Sequence, residues 1–211
     1  MDTSKDSLEK HLPYYLTQDA KDNLTAALKA FPNVNYYLDA YNDTVLQGDC
    51  WNCLEVIDFK SLTKRSVKGI VLSNTCDVSP ENSRDLPVRL TFVPIIKLSS
   101  YSQLLQKQGV AGEKLASKIQ AITGQKITSM IYFPKGGGLD EDYVALLDDM
   151  HSIPSDVFFK QQERKKIFTL SQIGYYLFIF KLSIHFCRFH DKVIRDEGDL
   201  KSTQQQAAST S

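Results

Sequence analysis

The chain has 211 residues, 42% of them apolar, which is enough for one sizeable domain or a domain with helical additions. Its 25 Lys and Arg balance 25 Asp and Glu, so net charge excludes a general polyanion binder and leaves room only for a local basic patch. The opening Met1-Asp2-Thr3-Ser4-Lys5-Asp6 lacks the basic and then apolar run of a secretory signal, and the cysteines are dispersed. Both features point to a reducing cytoplasm without disulfides.

The first segment, 1–43, reads as helical. Ser7 caps Leu8 to Leu16, with a kink at Pro13, and Asp22 to Phe31 repeats Leu24, Leu28 and Phe31 on one face before Pro32-Asn33 stops it. Tyr36, Tyr37 and Tyr41 read as packing residues, because a base-stacking platform needs its rings exposed on one face. From Thr44 the period becomes that of strands, and 44–160 reads as a mostly β domain. A strand is expected from Cys50 to Asp58, a basic loop from Lys60 to Lys68, and further strands at Gly69 to Ser73 and Val88 to Leu98. Ser79-Pro80-Glu81-Asn82-Ser83 has turn composition. Short strands on short loops predict a small antiparallel β-barrel.

A helical insertion near 101–123, divided by Gly109 and Gly112, interrupts that rhythm. Strands resume at Lys126 to Phe133 and Tyr143 to Met150, on either side of Gly136-Gly137-Gly138. These glycines lack the Lys-Ser or Lys-Thr and the following helix of a phosphate loop, so they read as a mobile hairpin connection. The segment 161–197 holds a long helix, Ile167 to Arg195, apolar on nearly every side between Ile173 and Phe186. It must pack on the barrel, the N-terminal helices or a partner. Its apolar core, Tyr175 to Phe189, is interrupted by Lys181, His185 and Arg188 and is shorter than the roughly 20 residues of a membrane span, so no membrane contact is expected. Residues 198–211 have the composition of a disordered tail.

Ser73-Asn74-Thr75-Cys76-Asp77 is the most chemically suggestive stretch. Such residues at a strand end either make side-chain-to-backbone turns or bind a ligand. As a site, Asp77 or Ser73 assists proton transfer, and Ser73 and Asn74 donate to phosphate. A Cys76 nucleophile needs a nearby histidine, and only the distant His185 and His190 are available. Cys50-Trp51-Asn52-Cys53 has the spacing of a zinc knuckle that His185, Cys187 and His190 would complete. In a strand those two cysteines face opposite sides, which favours ordinary burial over a metal site. Lys160, Arg164, Lys165 and Lys166, together with Lys60, Lys64, Arg65 and Lys68, form either an electropositive RNA face or solvated polar segments.

The order of central motifs carries a resemblance. Gly48-Asp49 opens a strand, Lys64-Arg65 lies in a basic segment, and Val71-Leu72-Ser73-Asn74, Phe92-Val93-Pro94-Ile95 and Gly138-Leu139-Asp140 follow. Over roughly Gly48 to Phe159 this is similar to the PemK/MazF family of toxin endoribonucleases. The resemblance implies an α+β fold: an SH3-like antiparallel β-barrel, often dimeric, with the helical insertion and flanking N- and C-terminal helices. It also implies metal-independent cleavage of single-stranded RNA by the RNA's own 2′-hydroxyl, no cofactor, and an antitoxin partner. Carried onto this chain, Arg65, Asp77 and Ser73 become the catalytic candidates, and Lys64, Lys68 and Asn74 the RNA contacts. Two departures matter. Val67-Lys68-Gly69 stands where the family has Arg-Pro, and Ile96-Lys97 stands where it has a hydroxyl. With the neutral charge, the insertion and the apolar terminal helix, they support a competing expectation. In that reading the barrel is a non-catalytic module binding a protein partner in a toxin-antitoxin or phage-defence type system.

Overall fold

The structure, a computed structural model, describes residues 25–26, 34–79, 81–82 and 85–186. Of the expected helical segment 1–43, residues 25 and 26 are helical and 34–43 are not, Tyr37–Leu38 being strand; the rest of that segment, the tail, Cys187 and His190 lie outside the described residues.

Alternation builds the centre. In β2 (Cys50–Asp58), Cys50, Leu54 and Val56 are buried, while the distal residues from Ile57 onward are exposed. Its partner β3 (Thr63–Val71) pairs with it from Cys50↔Ile70 to Asp58↔Thr63. The basic stretch expected as a loop is therefore mostly strand. Ladder pairing with β2 holds it, and its polar side chains are tolerated because that end of the hairpin is exposed. The remaining elements are β1 (Tyr37–Leu38), α1 (Thr75–Val78), β4 (Arg89–Lys97), α2 (Leu98–Lys107), α3 (Gly112–Thr123), β5 (Met130–Phe133), β6 (Tyr143–Leu146), β7 (His151–Pro154), α4 (Ser155–Phe159), β8 (Lys166–Leu170) and α5 (Gln172–Phe186).

The fold is α+β, with an eight-stranded antiparallel sheet in which seven strands follow the order β1-β8-β2-β3-β4-β6-β5 and the eighth, β7, branches from β4. One edge of β4 pairs with β3. Its other edge pairs first with β7, through Arg89 to Phe92, and then with β6, through Ile95 to Lys97. The strand expected over Tyr143 to Met150 thus ends at Leu146, a turn fills 147–150, and a separate strand, β7, follows and meets β4 end to end with β6. Among the described residues no ladder joins β1 to β5, so the sheet is open. Those ends approach only through side chains: Tyr36 sits edge-on to Phe133 at 6.1 Å, and the Tyr37 hydroxyl donates to the Pro134 carbonyl.

The two faces of β3 feed separate cores. Ile70 joins Val93, Ile131, Phe133, Phe168 and Phe178. Val71 joins Trp51, Leu54, Val56, Leu90, Phe92 and Phe158. A third cluster, with Leu98, Ile122, Met130, Tyr132 and Val144, lies under α2 and α3, where the helical insertion was expected. The terminal helix expected from Ile167 begins five residues later, at Gln172, because Phe168 and Leu170 are buried strand residues of β8. The Ser171 hydroxyl accepts the Gly174 amide at 3.2 Å and caps its first turn. No helix among the described residues is long and apolar enough to cross a membrane.

The three glycines are packed rather than loose. A Cβ on Gly137 (φ +57°) would meet the Tyr37 ring at 2.6 Å, and one on Gly138 (φ +100°) would meet the Ile167 carbonyl oxygen at 2.5 Å. Only a residue without a side chain lets this turn lie against β8.

Candidate functional site

Two residues of the Ser73 to Asp77 segment are consumed by the main chain. Ser73 Oγ accepts the Thr91 amide at 2.7 Å and stitches the end of β3 to β4. Asn74 Oδ1 accepts the Cys76 amide at 3.1 Å and caps α1, with Asp77 exposed in that helix's first turn. This is the turn chemistry that such residues perform at strand ends.

The three β3 cations do not converge either. Residues an odd number apart on a regular strand face opposite sides. Arg65 shares the side of Val67 and Val71, whereas Lys68 shares that of Ile70. Lys68 lies 3.5 Å from the Tyr143 hydroxyl and 5.4 Å from the centre of its ring. Lys64 forms an exposed ion pair with Glu55 at 3.3 Å. Eight residues separate Arg65 from Ser73, about 26 Å of extended chain. The six candidates are therefore spread over a hairpin, two sheet faces and a helix start.

Tyr143 links Lys68 to a polar chain on the β4–β6 side. Its hydroxyl donates to Asp140 at 2.9 Å, and Lys97 contacts Asp140 and Glu141, each at 2.7 Å. Lys97, at the position where the resemblance expects a hydroxyl, is thus neutralised by two carboxylates. Those hydrogen bonds hold Asp140 well below the usual carboxylate range and Lys97 above the usual lysine range. Burial, then the Asp140 hydrogen bond, pushes Tyr143 up to about 12. These contacts tie Lys97, at the start of α2, to Asp140 and Glu141.

The second basic cluster is also largely spent. Lys166 is buried against Asp49 at 2.6 Å, with side-chain exposures of 5% and 1%. It also donates to the Tyr41 carbonyl at 2.6 Å and lies 5.3 Å from the Trp51 ring. Burial outweighs these contacts at Asp49, whose carboxyl is raised despite its partner. Arg164 donates to the Phe159 carbonyl, and Lys160 pairs with Asp156 at 2.8 Å.

What the structure does assemble is an open groove of about 740 Å³. One wall is Glu55 through Lys60 with Arg65, and the other is Asp149 through Ile153. His151 Nε2 lies 3.0 Å from Asp149 Oδ1, and its ring stacks on the buried Phe92 at 5.7 Å and 23°. The carboxylates are engaged within the protein. Glu55 meets Lys64 and Gln161, and Asp58 is held below its usual range by the Ser61 and Lys60 amides. The hairpin beside the groove exposes Ile57 by 48%, Phe59 by 85% and Leu62 by 78%. Sequence reasoning placed Arg65 among the site residues but passed over Asp149 and His151. The available signal was their spacing of two across the end of the strand expected from Tyr143 to Met150.

No protein-family model and no curated protein matches this chain, so the PemK/MazF resemblance rests on the motifs quoted above.

Proposed function

We propose that the protein is a non-catalytic binding module of SH3-like, PemK/MazF-like descent that engages a protein partner through the β2–β3 hairpin and the adjoining groove. One observation carries this reading. Phe59 and Leu62 at the hairpin tip, and Ile57 beside it, are apolar and strongly exposed, whereas the residues that RNA cleavage would need point apart or are hydrogen-bonded to backbone. Exposed apolar side chains with nearby cations (Lys60, Lys64, Arg65) suit the centre and rim of a protein interface. The resemblance makes a cytoplasmic antitoxin-type protein the expected partner. The test is cross-linked co-purification from cells that express the chain, comparing wild type with Phe59→Ser/Leu62→Ser. A partner retained at unchanged yield by the double variant overturns the reading.

A second reading has its own support. Arg65 and the His151–Asp149 pair line the same groove, which brings together a phosphate-binding cation and a proton-transfer group beside the exposed ring of Phe59. Single-stranded RNA incubated with excess protein under chelator tests it. Cleavage that disappears in both Arg65→Ala and His151→Ala establishes the nuclease, and unchanged RNA rejects it.

A further inference from the structure

The walls of this groove are strand edges. β2 pairs with β8 only at Cys50 and Trp51, and the Asn52 amide still reaches the Lys165 carbonyl. From Leu54 to Asp58 its ladder is with β3 alone. β7 pairs with β4 through all four of its residues and, among the described residues, with no other strand. An antiparallel ladder turns part of each strand's N–H and C=O groups outward. The outward groups of both segments therefore have no strand to bond among the described residues. The lining has the matching pattern: it runs through consecutive residues, 55–60 and 149–153. A groove over a sheet face is lined by every second residue, whereas one along a backbone edge is lined by all of them.

The outer edge of β5 is treated differently. The Gln125 side chain donates to the Tyr132 carbonyl at 2.7 Å and accepts the Tyr132 amide at 3.1 Å, as a neighbouring strand would. One edge is plugged from within, and the facing, unpaired edges of β2 and β7 are left open.

We infer that this slot takes an extended peptide segment of the partner protein as an added strand. The inference rests on the binding-module reading. Unpaired edges on both sides demand extended backbone. Glu55, Asp58 and Asp149 already have internal partners, Ile57, Phe59 and Met150 line the walls, and Lys60 and Arg65 are the cations among them, so the segment is apolar at its centre and any charge it carries is acidic. The four residues of β7 span about 13 Å, which sets the bonded length at four or five residues.

A phage-displayed library of random linear nonapeptides, panned on the full chain, supplies the probe. Selected peptides are resynthesised with single N-methylated amides and their binding is followed by hydrogen exchange. The inference expects at least a tenfold loss at alternate positions, little loss between them, and slowed exchange in 54–58 and 151–153. Peptides that tolerate N-methylation everywhere, or that protect another region, overturn strand addition and leave the module reading standing. Failure to select any peptide also overturns it. The hairpin-tip variants decide the module reading separately.

Discussion

Replacing Gln125 by Ala tests the view that this fold manages its sheet edges one by one. Gln125 is buried, and its amide makes two hydrogen bonds to the Tyr132 main chain, at 2.7 and 3.1 Å. Ala removes both and leaves a main-chain N–H and C=O unpaired at a buried position. At about 1–3 kcal/mol for each unsatisfied group, and allowing some water entry, the loss is about 2–4 kcal/mol. Backbone geometry adds little, since both residues face the same positive φ of 55°. Urea unfolding measures the loss, and exchange of the Tyr132 amide reports it locally. Gln125→Glu is the informative control, because a carboxylate accepts from the amide but cannot donate to the carbonyl. A freed β5 edge should also produce concentration-dependent association in sedimentation. A loss below about 0.5 kcal/mol with unchanged Tyr132 exchange refutes the reasoning.

Three further outcomes are expected. Lys181 is almost wholly buried, donates to the Gln125 and Ile127 carbonyls, and is lowered by burial to about 8. Unfolded lysine titrates near about 10.4, so between these values the unfolded chain binds more protons and stability rises with pH, by on the order of 3 kcal/mol. Unfolding free energies from pH 7 to 10.5 (roughly the lysine range) should show that rise in wild type and lose it in Lys181→Met. Ser73→Ala should cost about 1–2 kcal/mol by orphaning the Thr91 amide while leaving partner binding intact, as read by unfolding and by co-purification yield. Gly138→Ala should destabilise by about 2 kcal/mol or more, because its φ of +100° is strained for Ala and the added Cβ meets the Ile167 carbonyl, as thermal unfolding will show.

Part of this architecture was legible in the sequence. The strand from Cys50 to Asp58 and the helices near 101–123 follow from local periodicity, and the structure has them. β3 was hidden because its distal half is Thr-Lys-Arg-Ser, a polar run whose strand state is decided by pairing with β2. The start of α5 was hidden because Ile167 to Leu170 suits a buried strand or a helix equally, and the two-residue β1 that joins β8 has no sequence signal of its own. The site divides similarly. Ser73 and Asn74 drew attention by type, and the structure uses both for turn-making. Arg65 lines the groove, but an unpaired edge is a property of the whole sheet, and no window of residues contains it.

The most direct test of the central claim is lysine cross-linking with partner identification from cells expressing the chain. Lys60 and Lys64 flank the exposed Phe59 and Leu62, so the account predicts cross-links from these lysines to one protein partner, lost in Phe59→Ser/Leu62→Ser while the fold is kept. Cross-links to that partner that persist unchanged in the double variant, or that map away from the hairpin and groove, contradict it.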